Sequence, residues 1–264
     1  MQKVKPKKAL GQHFLTDLSV AARIASTLDG YKGVPVIEVG PGMGVLTRFL
    51  VEEGHDVTVA EIDGESIEYL KAEFPDLYRE GRILYCDFLQ TDLGKVFPGD
   101  KPFCVIGNYP YNISSQIFFH VLDYKDRVVC CSGMLQREVA ERLAAGPGTK
   151  ARGILSVLLQ AWYDVEYLFT VSETVFNPPP KVKSGVIRMT RNSVSDLGCD
   201  ERLFKTVVKT AFGQRRKTLR NSLRGLMLAG AALPDDPVFA LRPEQLEVSQ
   251  FIHLTNLIAA SSGR

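Results

Sequence analysis

The sequence predicts an α/β fold: a mostly parallel sheet covered by helices on both faces, followed by a small all-α region. Apolar, β-rich runs alternate with helical patterns through the first two thirds of the chain, the order of a parallel sheet with helical crossovers. Those runs are apolar almost end to end, as expected of strands buried on both faces. Strand signals stop near Asn192, and only helical periodicity follows.

Each element follows from its local pattern. Residues 34–40 read as the first strand and 45–53 as the helix behind it. A strand at 56–63 and a helix at 65–74 repeat the pair, and a third strand spans 82–88. A fourth strand at 103–108 leads to a helix at 114–123 and a fifth strand at 128–134. Helices at 137–145 and 153–162 are joined by a Gly/Pro-containing turn. Strands at 164–171 and 184–190 flank the Pro-rich loop 177–180, which makes a hairpin-like addition at one sheet edge and brings the strand count to seven. The crossovers are expected to be right-handed. Helices are predicted over 200–212, 217–229 and 250–260. Leu219, Leu223 and Leu226 fall at i, i+4 and i+7, one apolar stripe, and Pro243 before Glu244 suits a helix start. The domain boundary is placed between 195 and 196.

Composition narrows the class. The chain has 264 residues, 45% hydrophobic and 23% charged, the balance of a soluble globular protein with room for one large domain or a medium and a small one. No apolar run reaches the length of a membrane span. The basic start lacks the apolar stretch of a secretory signal, so the cytoplasm is the expected compartment. The net charge of +2 says less than its distribution. Lys3, Lys5, Lys7 and Lys8 crowd the N-terminus, and Arg202, Lys205, Lys209, Arg215, Arg216, Lys217, Arg220 and Arg224 form a stretch with no Asp or Glu inside it. Two such patches suit a polyanionic partner; solvated helix faces would carry the same charges. Among the five cysteines there is no C-x-x-C pair and no histidine at zinc-ligand spacing, so no metal site is expected. Cys86, Cys104, Cys130 and Cys131 read as small buried hydrophobes.

The strongest motif is Glu38-Val39-Gly40-Pro41-Gly42-Met43-Gly44, placed directly after a strand and opening a helix. Its spacing is G-x-G-x-G rather than the G-x-G-x-x-G of dinucleotide folds. Pro41 also removes an N–H from the turn, which suits a ligand without a pyrophosphate. Glu61 ends the second strand, where a carboxylate can accept bonds from both ribose hydroxyls. Asp87 ends the third, where it could accept from an adenine amine. Taken singly, Glu61 could be an exposed strand-end acid and Asp87 a turn cap. In this order they describe an adenosine-bearing cofactor, an arrangement that resembles class I S-adenosylmethionine methyltransferases.

The fourth strand ends in Asn108-Tyr109-Pro110-Tyr111, and Asn-x-Pro-Tyr at that place resembles the amino-methyltransferases of nucleic acid bases. An adenine amine is a weak nucleophile because its lone pair is delocalised into the ring. Acceptors aimed at its two N–H groups favour a more tetrahedral nitrogen. The Asn108 side-chain oxygen and the Tyr109 carbonyl can supply them, with Pro110 holding Tyr109 extended. Tyr111 offers a ring to stack on the base, which must be flipped out or unpaired. Phe176, carried by the Pro-rich loop, is the expected second ring.

With Gly11-Gln12-His13-Phe14-Leu15, the segment 176–182 and Phe212-Gly213-Gln214-Arg215-Arg216-Lys217-Thr218-Leu219, these motifs resemble the rRNA adenine dimethyltransferase family along almost the whole chain, most closely its bacterial small-subunit branch. The resemblance implies a Rossmann-like class I methyltransferase domain, and S-adenosylmethionine as methyl donor with no metal. It implies dimethylation at N6 of two adjacent adenosines in the 3′-terminal hairpin loop of 16S rRNA, in a pre-30S particle; a monomer is the simplest expectation for the chain. The cofactor contacts it implies are His13, Leu15, Gly40, Glu61, Asp87 and Asn108; the catalytic residues are Asn108, Tyr111 and Phe176. His13 stands where the family often has Asn, and Tyr109 where it commonly has Leu or Ile. The helical region would grip rRNA through Arg215, Arg216, Lys217 and Arg220, and the N-terminal lysines could add to that grip. Two other readings stay open: a large-subunit (23S) rRNA adenine methyltransferase giving antibiotic resistance, and a non-enzymatic RNA-binding assembly factor.

Overall fold

A computed structural model of the chain describes all residues except 1–3, 5, 8, 9, 227–233 and 262–264. In chain order the strands and α-helices are β1 (Phe14–Leu15), α1 (Leu18–Ala25), β2 (Val36–Val39), α2 (Val45–Glu52), β3 (Val57–Glu61), α3 (Gly64–Glu73), α4 (Pro75–Arg79), β4 (Ile83–Tyr85), α5 (Leu93–Val96), β5 (Phe103–Asn108), α6 (Ser114–Asp123), β6 (Val128–Gln136), α7 (Arg137–Ala144), α8 (Ile154–Gln160), β7 (Tyr163–Val171), β8 (Phe176–Asn177), β9 (Ser184–Arg191), α9 (Glu201–Gly213), α10 (Leu219–Ser222) and α11 (Val248–Ser261).

The seven-stranded sheet has the order β4-β3-β2-β5-β6-β9-β7. From β4 to β6 the neighbours are parallel, and β9 runs antiparallel to β6. The apolar runs are apolar because both faces are covered: every residue of β2 is buried, as are the first five of β5. Val36, Val57, Val59, Cys104, Ile106, Cys130 and Val186 share one core cluster with Ala21, Ile24 and Leu28. Successive strands leave β2 on one side toward β3 and on the other toward β5. That reversal opens a crevice at the carboxyl ends of the two strands, the place where open α/β sheets bind ligands.

Helix α1 went unforeseen in the sequence pattern. Its signals are present: Asp17 accepts from the backbone N–H of Ser19 and Val20, an N-cap, and Val20, Ala21, Ile24 and Ala25 form one buried stripe. Two elements are shorter than expected. The third strand is only Ile83–Tyr85, half exposed at the sheet edge. The helix expected over 217–229 is α10, four residues long, followed by a 3-10 turn at Arg224–Leu226; residues 227–229 lie outside those described. Gly225 in that turn has a poor helix propensity. Leu219 and Leu223 are nonetheless fully buried.

By contact the chain divides into two units, one of Met1–Ala140 with Val165–Arg191, the other of Glu141–Asp164 with Asn192–Arg264. The second unit differs from the sequence-based division at 195/196 because it takes in residues 141–164. The reason is packing: α8 is apolar over Leu155, Val157, Leu158 and Leu159, all buried, and lies against α9. Within this unit Phe212 and Phe251 stack with centroids 6.1 Å apart. Arg152 is only 1% exposed and donates to the Ala145 carbonyl at 2.7 Å and to Gln160 Oε1 at 2.6 Å. Among the described residues no helix is long and apolar enough to cross a membrane.

One close approach shapes the end of β5. Gly107 and Gly133 face each other across β5 and β6, and the Tyr109 ring fills the space that side chains there would take. A Cβ on Gly133 would lie 2.6 Å from Tyr109 Cε2 and 2.2 Å from the Gly107 carbonyl oxygen. Gly133 also has φ of 152°. We expect Gly133→Ala to lower stability by about 2–4 kcal/mol, the range of overpacked or strained core positions, read as a fall in the thermal or urea midpoint. An unchanged midpoint would show that the slot can widen.

Candidate active site at the carboxyl edge of the sheet

The crevice is a cleft with about 1300 Å³ of atom-free space, its open mouth included. His13, Leu15, Gly40, Glu61, Asp87, Asn108 and Tyr111 all line it, although they come from segments up to 98 residues apart (Tyr111 minus His13) in the sequence. The floor is the turn after β2. Gly40, Gly42 and Gly44 have φ of 66°, 56° and 71°, left-handed conformations that glycine adopts without steric cost. A Cβ on Gly42 would come within 2.9 Å of the Phe14 ring, so the glycine also lets the N-terminal segment lie close.

Glu61 ends β3 almost buried, at 4% exposure. Its Oε2 accepts from the Gly42 N–H at 3.0 Å, and its Oε1 from the N–H groups of Ile62 and Asp63, each at 2.9 Å. Burial nonetheless raises the carboxyl above the usual carboxylate range. A carboxylate has about four acceptor sites, so this anchoring leaves capacity for a hydroxyl. Asp87 does cap a turn: its Oδ1 accepts from Leu89 N–H at 2.9 Å, which leaves Oδ2 as an acceptor at the cleft. The turn-cap reading of Asp87 therefore holds, and the residue also lines the cleft.

The wall opposite is the N-terminal segment. β1 pairs with β8 in antiparallel register, Phe14 opposite Asn177 and Leu15 opposite Phe176. His13 Nδ1 donates to the Pro178 carbonyl at 2.9 Å, since a carbonyl can only accept. Lys7 Nζ donates to the buried Asp63 carboxylate and lies 3.1 Å from Glu65. Of the other N-terminal lysines, Lys3, Lys5 and Lys8 lie outside the described residues.

The end of β5 closes the site. Asn108 Nδ2 donates to the His13 carbonyl at 3.1 Å. Tyr109 is 1% exposed; its hydroxyl donates to the Ser132 carbonyl at 2.7 Å and its N–H to the Met134 carbonyl at 2.8 Å. A tyrosine in this place, where the resemblance points to Leu or Ile as the common residues, thus gains a buried bond that those residues could not make. Tyr111 is half-buried, with its hydroxyl bonded to Ser184 Oγ and its ring centroid 5.5 Å from that of His13.

Phe176 is placed differently from the expectation. It is 4% exposed, sits in the core cluster opposite Leu15 and does not line the cleft. Cys86 also departs from its reading: it is partly exposed and lines the cleft. Cys104, Cys130 and Cys131 are buried as expected, and burial raises all three thiols. In the helical unit Arg215 donates to the Lys150 carbonyl and lies 3.8 Å from Glu244, whereas Arg216, Lys217 and Arg220 are exposed.

Comparison with known proteins identifies the lineage. The family model described as ribosomal RNA adenine dimethylase matches residues 3–235. The chain belongs to the ribosomal RNA adenine dimethylase family. A relative from Parabacteroides distasonis named ribosomal RNA small subunit methyltransferase A is 70% identical, over 97% of this chain and 94% of its own. Among solved structures, a dimethyladenosine transferase from Plasmodium falciparum superposes with a TM-score of 0.76 at 22% identity, covering 95% of this chain and 98% of its own. The 23S rRNA methyltransferase ErmE gives 0.67 at 26% identity, covering 92% and 99%. The Rossmann-like methyltransferase fold with its helical C-terminal region is therefore that of the family.

Glu38 lines the cleft of this family member; in the sequence it stands at the head of the glycine motif, with no role assigned to it. The available signal was an acid inside the otherwise apolar run of β2. It is 1% exposed and accepts from Thr47 Oγ1 at 2.6 Å. Burial, with Glu61 nearby, pushes its carboxyl from 4.5 up to about 8. The unfolded chain loses this proton near pH 4.5 and the folded chain only near 8, so this group's contribution to stability falls as pH rises between those values. We expect Glu38→Gln to cancel that fall. The difference in unfolding midpoint, variant minus wild type, should climb from about pH 5 to about pH 8 and then level off. A pH-independent difference would show that Glu38 is ionised in the fold throughout.

Proposed function

We propose that the protein is an S-adenosylmethionine-dependent methyltransferase that dimethylates the N6 amines of two adjacent adenosines in the 3′-terminal hairpin loop of 16S rRNA, as a cytoplasmic monomer acting on a pre-30S particle. The observation that carries the reading is the fixed orientation of Asn108. Because the His13 carbonyl can only accept, the Asn108 amide must turn its NH₂ toward it. Its Oδ1 is then left as the acceptor that an adenine amine needs.

The cleft fits the cofactor on its own chemistry. The remaining acceptor capacity of Glu61 suits a ribose hydroxyl and Asp87 suits the amine of an adenosine, and the glycine turn brings backbone close. When bound, the cofactor supplies an electrophilic methyl group on a sulfonium. Asn108 Oδ1 and the Tyr109 carbonyl then hold the two N–H groups of the target amine. Tyr111 supports the base by stacking, a geometry that is set before the reaction. Held by these two acceptors, the amine would present its lone pair toward the methyl group that the cofactor would supply. After one transfer a single N–H remains, and one acceptor is enough to orient it for the second. Arg216, Lys217 and Arg220 are assigned to rRNA phosphates. Arg215 is the weaker candidate because its guanidinium is engaged within its own unit.

The small-subunit assignment rests on high identity to relatives of that name; the shared fold alone also fits a 23S enzyme. We expect Asn108→Ala to bind cofactor within a few-fold of wild type and to lose transfer by about 10²–10³, as when one preorganised polar contact is removed. Near-normal turnover by that variant would remove Asn108 from the mechanism. Cells lacking the protein should show unmethylated adenosines in that 16S loop by mass spectrometry; intact dimethyladenosines there would refute the assignment. Arg216→Ala with Arg220→Ala should weaken rRNA binding and flatten its salt dependence; an unaltered slope would free these arginines from phosphate contact.

A further inference from the structure

We infer that the loop from Pro178 to Ser184 is a second RNA-holding surface, whose Lys181 and Lys183 grip phosphates of the strand that delivers the target adenosine. This rests on the reading of the cleft given above. The loop is fastened at both ends to residues of the target site. At one end the Pro178 carbonyl accepts from His13 Nδ1 at 2.9 Å. At the other, fully buried Ser184 bonds through its Oγ to the Tyr111 hydroxyl, and the Lys183 carbonyl accepts from Arg137 N–H at 3.0 Å. Between the two fastenings Lys181, Val182 and Lys183 are exposed.

The chemistry of that span suits a polyanion. No Asp or Glu occurs between Glu173 and Asp196, and neither lysine has an acidic partner among the described residues. Pro178, Pro179 and Pro180 fix their backbone φ, so little loop freedom is lost on binding. A lysine serves phosphate as a point charge with no demand on base identity. An unpaired nucleotide whose base lies on Tyr111 carries a phosphate on each side. The cations of this loop are mounted on the same frame as Tyr111 and His13. The arginines of the helical unit belong to a separate compact body.

The test is binding of purified, unmethylated small ribosomal subunits to wild type, Lys181→Ala/Lys183→Ala, and the control Lys95→Ala/Lys101→Ala. Lys95 and Lys101 are also exposed, on the connection before β5. Each single-strand phosphate contact contributes about 0.7 to the log–log salt slope. Two lost contacts should therefore make the loss of affinity between 50 and 200 mM salt about sevenfold smaller in the loop variant than in wild type. Cofactor affinity and kcat at saturating subunits should be unchanged, with KM raised several-fold. Lys181→Arg/Lys183→Arg should keep the wild-type slope, and the control should behave as wild type. An unaltered slope in the loop variant, an equal change in the control, or a parallel loss of cofactor affinity would overturn the inference. Because the slope is read from binding, it decides the role of the lysines independently of turnover. A wild-type protein that binds subunits but transfers no methyl group would instead overturn the reading of the cleft.

Discussion

One hydrogen bond organises the site: Asn108 Nδ2 to the His13 carbonyl, 3.1 Å long. In energy it is a modest contact, about 1 kcal/mol net. In information it is large, because an amide presents opposite chemistry on its two ends. On the proposed reading, Asn108 turned the other way would offer N–H groups to an amine that needs acceptors. The bond also joins the end of β5 to a segment that arrives from the start of the chain. The cofactor side and the target side of the cleft thus share one wall. That wall is held at three further points: Lys7 on Asp63, β1 on β8, and His13 on Pro178.

The acceptor pair also depends on how Tyr109 is seated. Its carbonyl can be aimed only if its backbone is fixed. The fixing comes from its N–H on Met134, its hydroxyl on Ser132 and its ring between two glycines. The edge-to-face contact with Phe118 of α6, at 5.5 Å between centroids, closes the remaining side. A residue valued for its backbone is thereby positioned by its side chain. This explains how the site accommodates a ring where smaller aliphatic residues were expected. The room is provided by Gly107 and Gly133, on neighbouring strands.

The sheet and the residues that line its cleft beside the glycine turn were legible in the sequence because their signals are local. Buried parallel strands are apolar runs, and the glycine turn and the two acids sit at fixed places after them. What escaped depends on partners distant in sequence. Phe176 belongs to a motif, but the face it shows is decided by pairing with Leu15, 161 residues earlier (176 minus 15). Residues 141–164 look like part of the sheet domain until α8 meets α9. Arg215 is a basic residue in a basic stretch, yet its charge is directed to Lys150 and Glu244 within its own unit. Glu38 was visible as an anomaly, an acid within a strand, but its protonation follows from complete burial.

The two sides of the target pocket are not built alike, and the difference follows from what each must hold. The amine side needs direction, so it uses a strand end with fixed acceptors. On the proposed reading the base face needs only a flat apolar surface, which Tyr111 would supply. Yet the Tyr111 ring is held by its hydroxyl, on Ser184, where β9 begins. The same serine ends the loop that carries Lys181 and Lys183. A strand drawn in by those lysines would therefore be gripped by the element that sets the plane of the stacking ring. Backbone capture and base orientation would be coupled through one residue, with no motion of the sheet required. The antiparallel β9, inserted between β6 and β7, is what brings that loop to the carboxyl edge. A parallel strand in its place would start at the opposite edge and leave Tyr111 without this partner.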